Sequence, residues 1–399
     1  MYKNFKFLNY SIYVLLLFYL MVDTLTGISL KTVGVSFSIP YKAFIISLMV
    51  IVIGMYNQTD FLIILSLFTW LILSITVMIL FGSHNFALAI QTYIKTVSAI
   101  IFYLYFKSFI KFEQHSYKYL RKILVVNAFV FSANIFAGIL GFGYSTYDYG
   151  VGIKGFFYAG NEIFLILLAI TALLLKNRNK KFRMCVGLIS LLFSILIGTK
   201  TAMLALMIIV LVNAFTNLRK ISKIFVIFSL PLFILLFIIL FNSVLSSLPV
   251  FNNMIYNFEK NKKLTGSILS ALLSGRVEFL NNNLDFLKER ADFWHFIFGG
   301  NAYFNNKSVE IDFFDTLILN GVFVAVVIFC FYIFLFYRAV RKHDVTLMAM
   351  NFSLIMISFT AGHVWANLTG GIFFIIANIV PNIFETIKHK RRKHYVIKL

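Results

Sequence analysis

The stretch DFFDTLILNGVFVAVVIFCFYIFLFY, residues 312–337, decides the fold. It is apolar over its whole length apart from two acids at its start and Asn320-Gly321 near its middle. Arg338, Arg341 and Lys342 follow it directly. A helix needs about 20 predominantly apolar residues to cross a bilayer, so this stretch reads as a transmembrane helix with acids at one end and bases at the other.

The rest of the chain repeats the pattern. Apolar runs fall near 8–26, 41–56, 61–81, 86–108, 120–142, 156–175, 182–198, 200–216, 223–245, 312–337, 345–362 and 366–385. The composition agrees: 60% of the 399 residues are hydrophobic and only 13% charged, against roughly 25% charged in a soluble domain. Such a surface is solvated by lipid. In lipid each backbone amide must be satisfied within the segment or by a closed barrel. These runs are helix-length, not alternating ten-residue strands, so the barrel is excluded. The expected fold is an all-α polytopic membrane protein of about twelve transmembrane helices. It divides into helices one to nine (1–245), a large extracytoplasmic loop with an amphipathic helix (246–311), and helices ten to twelve with a basic cytoplasmic tail (312–399).

Charge gives the orientation. With the amino terminus inside, the cytoplasmic segments are 1–7, 57–60, 108–119 with Arg121 and Lys122, 176–181, 217–222, 338–344 and the tail from Thr386; all but 57–60 carry Lys or Arg. This is the positive-inside pattern, with both termini cytoplasmic. The net charge of +21 is therefore a topology signal. Its dispersal over short loops argues against nucleic acid as a partner. The amino-terminal run, followed by no small-x-small cleavage site, reads as a retained first helix. Cys185 and Cys330 lie in apolar runs and read as small buried side chains.

The connection Ser246–Val309 is much longer than the others, and connections of that size usually carry function. Leu280, Leu284, Leu287, Phe293, Phe296 and Ile297 recur at helical spacing in it. They predict an amphipathic helix from an N-cap near Ser274 to Gly299-Gly300, lying on the membrane surface.

Charged groups at the ends of apolar runs are the candidates for chemistry. Lys200, in the tight Gly198-Thr199-Lys200 turn, suits an anionic headgroup or a phosphate; the plain alternative is a snorkelling lysine. Arg276 opens the loop helix, where acids are preferred, which points to an external anion; the alternative is a solvated arginine. Glu310, Asp312 and Asp315 enter the tenth run together. They suit a general base, a cation site, or acids complementing the helix dipole. Lys154 and Asn161 flank the start of the sixth run, and His363 ends the eleventh beside Trp365, read as an interfacial anchor. No HExxH, GxSxG or Walker loop is present.

Five stretches then carry a resemblance. GFFYAGNE (155–162), LLFSILIGTKTAML (191–204), SGRVEFL (274–280), FGGNAYFNNKSVEIDFFDTLILNGVF (298–323) and FTAGHVW (359–365) resemble, in order and in topology, the O-antigen and capsular polysaccharide polymerases, Wzy-type enzymes grouped with the O-antigen ligases. The resemblance covers roughly half of the chain; the first five runs add hydropathy only. It implies a GT-C-like glycosyltransferase of the bacterial cytoplasmic membrane that uses a polyprenyl-diphosphate-linked glycan at the outer face. It implies no cofactor and no metal, and it implies membrane lipid, a flippase and a chain-length regulator as partners. The family's basic turn residue corresponds to Lys200 and its loop arginine to Arg276. Ligases carry a His-Asn pair where Glu310 stands here, with Asp312 behind it, which resembles the capsular-polymerase branch. The resemblance points to Glu310 or Asp312 for catalysis and to Lys200 and Arg276 for the diphosphate; Lys154, Asn161, Asp315 and His363 stand beside them as substrate-binding candidates from their places at the ends of apolar runs. A ligase that delivers finished glycan to lipid A core or protein stays open at this level, as do a lipid-linked oligosaccharide flippase and a membrane acyltransferase.

Overall fold

The computed structural model describes residues 2–80, 86–113, 115–146, 152–157, 160–177, 179–216, 249–290, 293–299, 308–362 and 364–380. Among the described residues the structure is all-α apart from one two-stranded ribbon. Helices α1 (Tyr2–Leu17), α2 (Tyr19–Thr32), α3 (Ser38–Tyr56), α4 (Gln58–Leu80), α5 (Phe86–Phe112) and α6 (Ser116–Ile139) come first. The ribbon β1 (Tyr144–Ser145) and β2 (Ile153–Gly155) follows, paired antiparallel. Then come α7 (Gly160–Leu174), α8 (Lys180–Ile197) and α9 (Lys200–Thr216). The long connection holds α10 (Pro249–Thr265), α11 (Ile268–Leu272), α12 (Arg276–Arg290) and α13 (Phe293–Phe298). The chain returns through α14 (Asp312–Arg341), α15 (Val345–Ser358) and α16 (Leu368–Ile379).

Among the described residues five helices have the length and apolarity to cross a membrane: α3, α4, α5 from Ala89 onward, α6 and α14. A bent pair, α1 with α2, makes a sixth. The apolar segments Ile163–Leu174, Lys200–Thr216, Val345–Ser358 and Leu368–Ile379 are shorter. The expected run at 223–245 lies outside the described residues. These apolar helices make the protein membrane-embedded.

Polar side chains set the helix ends. Asn179 caps α8 by accepting from Lys181 and Phe182 N–H, Asp344 caps α15 through Leu347 N–H, and Asn367 caps α16 through Gly370 N–H. Helices α7 and α16 are buried on nearly every side, as uniformly apolar helices are when they form a bundle centre. Helices α3 and α4 expose Ile51, Leu62, Ile72 and Leu73 outward, the faces a bilayer would cover.

Four expectations need correction. The run 8–26 is not one straight helix, because α1 and α2 meet at 48°. The cause is Asn127 of α6, which accepts from Leu20 N–H at 2.9 Å and donates to Leu16 O at 2.9 Å. A side chain inserted into the helical ladder is a recognised source of a kink. Second, Cys185 and Cys330 are exposed, on outward helix faces. Third, Trp365 is only 1% exposed. It stacks on Tyr332 at 5.3 Å with Phe313 and Phe329 around it, so the loop turns this ring into the bundle. Fourth, Ser274 is no helix cap: it sits at φ 57° and α12 starts two residues later, at Arg276. Gly275, at φ 81°, completes the left-handed turn. The cap of this kind belongs to Ser267, ahead of α11.

Candidate functional site

The site is built around the kinked helix α14. Asp312 and Asp315 stand in its first turn, and Gly321, at φ 80° and ψ 168°, breaks it one-third of the way along. The break receives the end of α13. A Cβ on Gly321 would lie 2.1 Å from Ile297 O, and one on Gly299 would lie 2.4 Å from Leu319 O. Both glycines are required by backbone contact between the stretches FGG and LNG. Trp70 of α4 stacks on Phe323 at 3.9 Å and lies tilted against Phe298 at 4.8 Å, closing the joint from a third side.

The loop helix α12 lies over the start of α14. Leu280 and Leu287 pack against Val309, Ile311 and Ile318. This apolar contact brings Arg276 to Glu310: Nη2 is 3.2 Å from the Glu310 carboxylate. Nη1 donates to Thr360 O at 3.2 Å. Nε is buried, with no hydrogen-bond partner among the described residues. Three stretches far apart in sequence thus meet on one guanidinium.

The three acids do different work. Asp312 is 3% exposed, and its Oδ2 accepts from Val364 N–H at 2.7 Å and Trp365 N–H at 2.8 Å. Asp315 is also buried and accepts from Val309 N–H at 2.9 Å. A buried carboxylate requires such donors. These bonds anchor the chain on either side of Glu310, whose own backbone sits at φ 58°. A non-glycine residue there carries strain, which persists only where neighbours hold it. Gly362 is part of that hold: a Cβ there would lie 2.7 to 2.9 Å from Glu310 backbone atoms. Glu310 is the open acid, its side chain 49% exposed.

Lys200 opens α9 two residues after the Gly198 cap, which sits at φ 77°. The charge of Arg276 acts on it, so the two cations are electrostatic neighbours. Thr199 Oγ1, in the same turn, is buried without a hydrogen-bond partner among the described residues. The ribbon braces the turn: Thr146 Oγ1 donates to Ile197 O at 2.7 Å, and Gly152 packs on the same carbonyl. Lys154 lies in β2, two residues from that contact, half-buried. Arg276 and Lys200 thus stand near one open carboxylate, and Arg276 Nε has no hydrogen-bond partner among the described residues.

Arg276 and Glu310 therefore meet, with Lys200 within electrostatic reach of Arg276 and with Asp312 and Asp315 behind Glu310. Asn161 lies in the first turn of α7, but its side chain, like His363, lies outside the described residues. The Thr360 carbonyl, Gly362, Thr199 and the amides of Val364 and Trp365 were missed as contributors. The FTAGHVW and GTK stretches contain all of them, yet backbone groups leave no signature in residue identity.

No protein family, curated relative or solved structure matches this chain.

Proposed function

We propose that the protein is a polysaccharide polymerase of the O-antigen and capsular type. It moves the growing glycan from a polyprenyl-diphosphate carrier onto the next lipid-linked repeat unit, at the outer face of the bacterial cytoplasmic membrane. The proposal includes the twelve-span topology, with both termini cytoplasmic and the 246–311 segment outside. The observation that supports it best is the Arg276–Glu310 pair beside Lys200, an open carboxylate flanked by cations with unused donors.

In this reading Glu310 is the general base. It takes the proton of the acceptor sugar hydroxyl as that oxygen attacks the anomeric carbon of the donor. The bond from that carbon to the diphosphate breaks, and its electron pair leaves on the diphosphate. Lys200 and Arg276 stabilise the charge on the leaving oxygens. A single displacement inverts the anomeric carbon. Asp312 and Asp315 are positioning residues, since both spend carboxylate oxygens on main-chain N–H groups. Lys154, Asn161 and His363 are assigned to the sugar and diphosphate groove only from their places at the ends of apolar runs.

The test is glycan chain length in cells carrying Glu310→Gln or Arg276→Ala in place of the wild type. Single lipid-linked repeats without polymer are expected in both, with the protein still in the membrane fraction. Full-length polymer in both variants overturns the assignment.

A further inference from the structure

At the opposite end of the bundle from Glu310, the ends of α1, α5 and α6 enclose a cavity of about 420 Å³ that the proposed reaction does not use. Its floor is Asn9, only 3% exposed. Asn9 is fixed by donating to Tyr56 OH at 2.6 Å and accepting from Tyr105 OH at 3.2 Å. The walls are aromatic: Tyr10, Phe112 and Tyr119 line it. These rings are themselves held in place, Phe112 stacked on Tyr56 at 4.6 Å and Tyr119 against Tyr13 at 4.4 Å.

The rim carries charge. Lys6 and His115 line the cavity together with Glu113. One oxygen of the Glu113 carboxylate accepts from His115 N–H at 3.3 Å. His115 stands at the start of α6, whose first turn holds no acid and no side-chain cap. Glu113 is the one acid in that lining, against the two basic side chains Lys6 and His115. Lys111, Lys118, Arg121 and Lys122 are exposed around the same end. A preformed recess with rigid aromatic walls and a basic rim, opening where the chain's cations concentrate, selects a phosphate ester attached to an apolar body.

We infer that this cavity is a binding site for the phosphodiester headgroup of an anionic phospholipid of the cytoplasmic leaflet. Lys6 and His115 contact the phosphate, and the acyl chains run along the outward faces of α1 and α6. The leaflet facing the basic end of a membrane protein is the anionic one. The aromatic walls suit the boundary between headgroup and acyl chain, where such rings concentrate. A soluble phosphate would meet the same cations but would gain nothing from the apolar walls.

The full-length protein is purified in detergent and offered phosphatidylglycerol, phosphatidylethanolamine or inorganic phosphate, and the bound species are read by native mass spectrometry. The wild type is expected to retain phosphatidylglycerol over phosphatidylethanolamine by roughly tenfold. Lys6→Gln with His115→Gln should bring the two lipids to parity. Both side chains are exposed, so the double variant should fold, as an unchanged melting temperature would verify. Lys263→Gln, on the exposed face of α10, should behave as the wild type. A wild type without lipid preference overturns the proposal, as does a preference that survives in the double variant. Displacement of the lipid by inorganic phosphate also overturns it, by making soluble phosphate the ligand.

Discussion

Two ion pairs contrast what this protein encloses and what it leaves open. Lys42 of α3 and Asp23 of α2 lie 2.7 Å apart, with side chains only 8% and 9% exposed. Ser38 donates to Asp23, Lys42 donates to Thr369 at the start of α16, and the Tyr19 ring lies 5.4 Å from the Lys42 ammonium. Arg276 and Glu310, at 3.2 Å, are 19% and 49% exposed, and Glu310 carries a strained backbone. The first pair is closed and joins helices. The second is half-open, spends two of its donors on the protein and has a free Nε. Each pair has one buried polar atom without a hydrogen bond among the described residues, Asp23 Oδ2 and Arg276 Nε, so exposure is what separates them: only the second has a carboxylate open to a ligand.

The contrast is broken most severely at the open pair. Glu310→Ala should reduce polymer formation by about 10²- to 10⁴-fold, the usual contribution of a general base, without lowering the melting temperature. Chain-length profiling beside a thermal melt in detergent checks both halves; a lowered melting temperature would make Glu310 structural instead. At the closed pair the outcome is reversed. Lys42→Ala strands the Asp23 carboxylate and should destabilise the fold by about 3–5 kcal/mol. Lys42→Met with Asp23→Leu together should recover most of that loss, because a matched apolar pair leaves no buried charge. A double variant as unstable as the single one would mean the pair contributes more than its desolvation costs.

A smaller effect sharpens how Glu310 is held. Gly362→Ala puts a methyl group into Glu310 backbone atoms and should cost about 1–3 kcal/mol, as overpacking does. Polymer should shorten but persist in that variant, whereas Arg276→Ala leaves none, and chain-length profiling of the two side by side checks the difference; unchanged length in Gly362→Ala would mean that this close approach does not hold Glu310. The smallest change is expected at the loop surface. Lys288 and Asp285 are 2.9 Å apart but 75% and 70% exposed. Asp285→Ala should therefore move the melting temperature by no more than the equivalent of about 0.5 kcal/mol.

Much of the helical layout was legible in sequence. The runs from 41 to 142, and from 312 to 337, correspond to helices because hydropathy and capping residues are local properties. The Gly198-Thr199-Lys200 turn was legible for the same reason, since a glycine in the left-handed region ends one helix and lets the next begin. The bend between α1 and α2 was not, because its cause, Asn127, lies on another helix. Trp365 looked like an interfacial ring because it ends an apolar run; Asp312 pins its amide and directs it inward. Arg276, Glu310 and Lys200 could be named singly as charges out of place. That Arg276 touches Glu310 and Thr360, 34 and 84 residues away, is set by the apolar contact of Leu280 and Leu287 with the start of α14.

The sequence by itself determined that this chain is helical and embedded in lipid, because a backbone in hydrocarbon must satisfy its own amides and the apolar runs have helical length. It also determined which end of each helix carries the bases. Only the tertiary structure decided which charges meet. The roles of Asp312 and Asp315 as anchors, and of Glu310 as the open acid, depend on hydrogen bonds to main-chain amides and on the close approach of Gly362. Those contacts arise from packing between distant segments, which no single stretch of residues encodes.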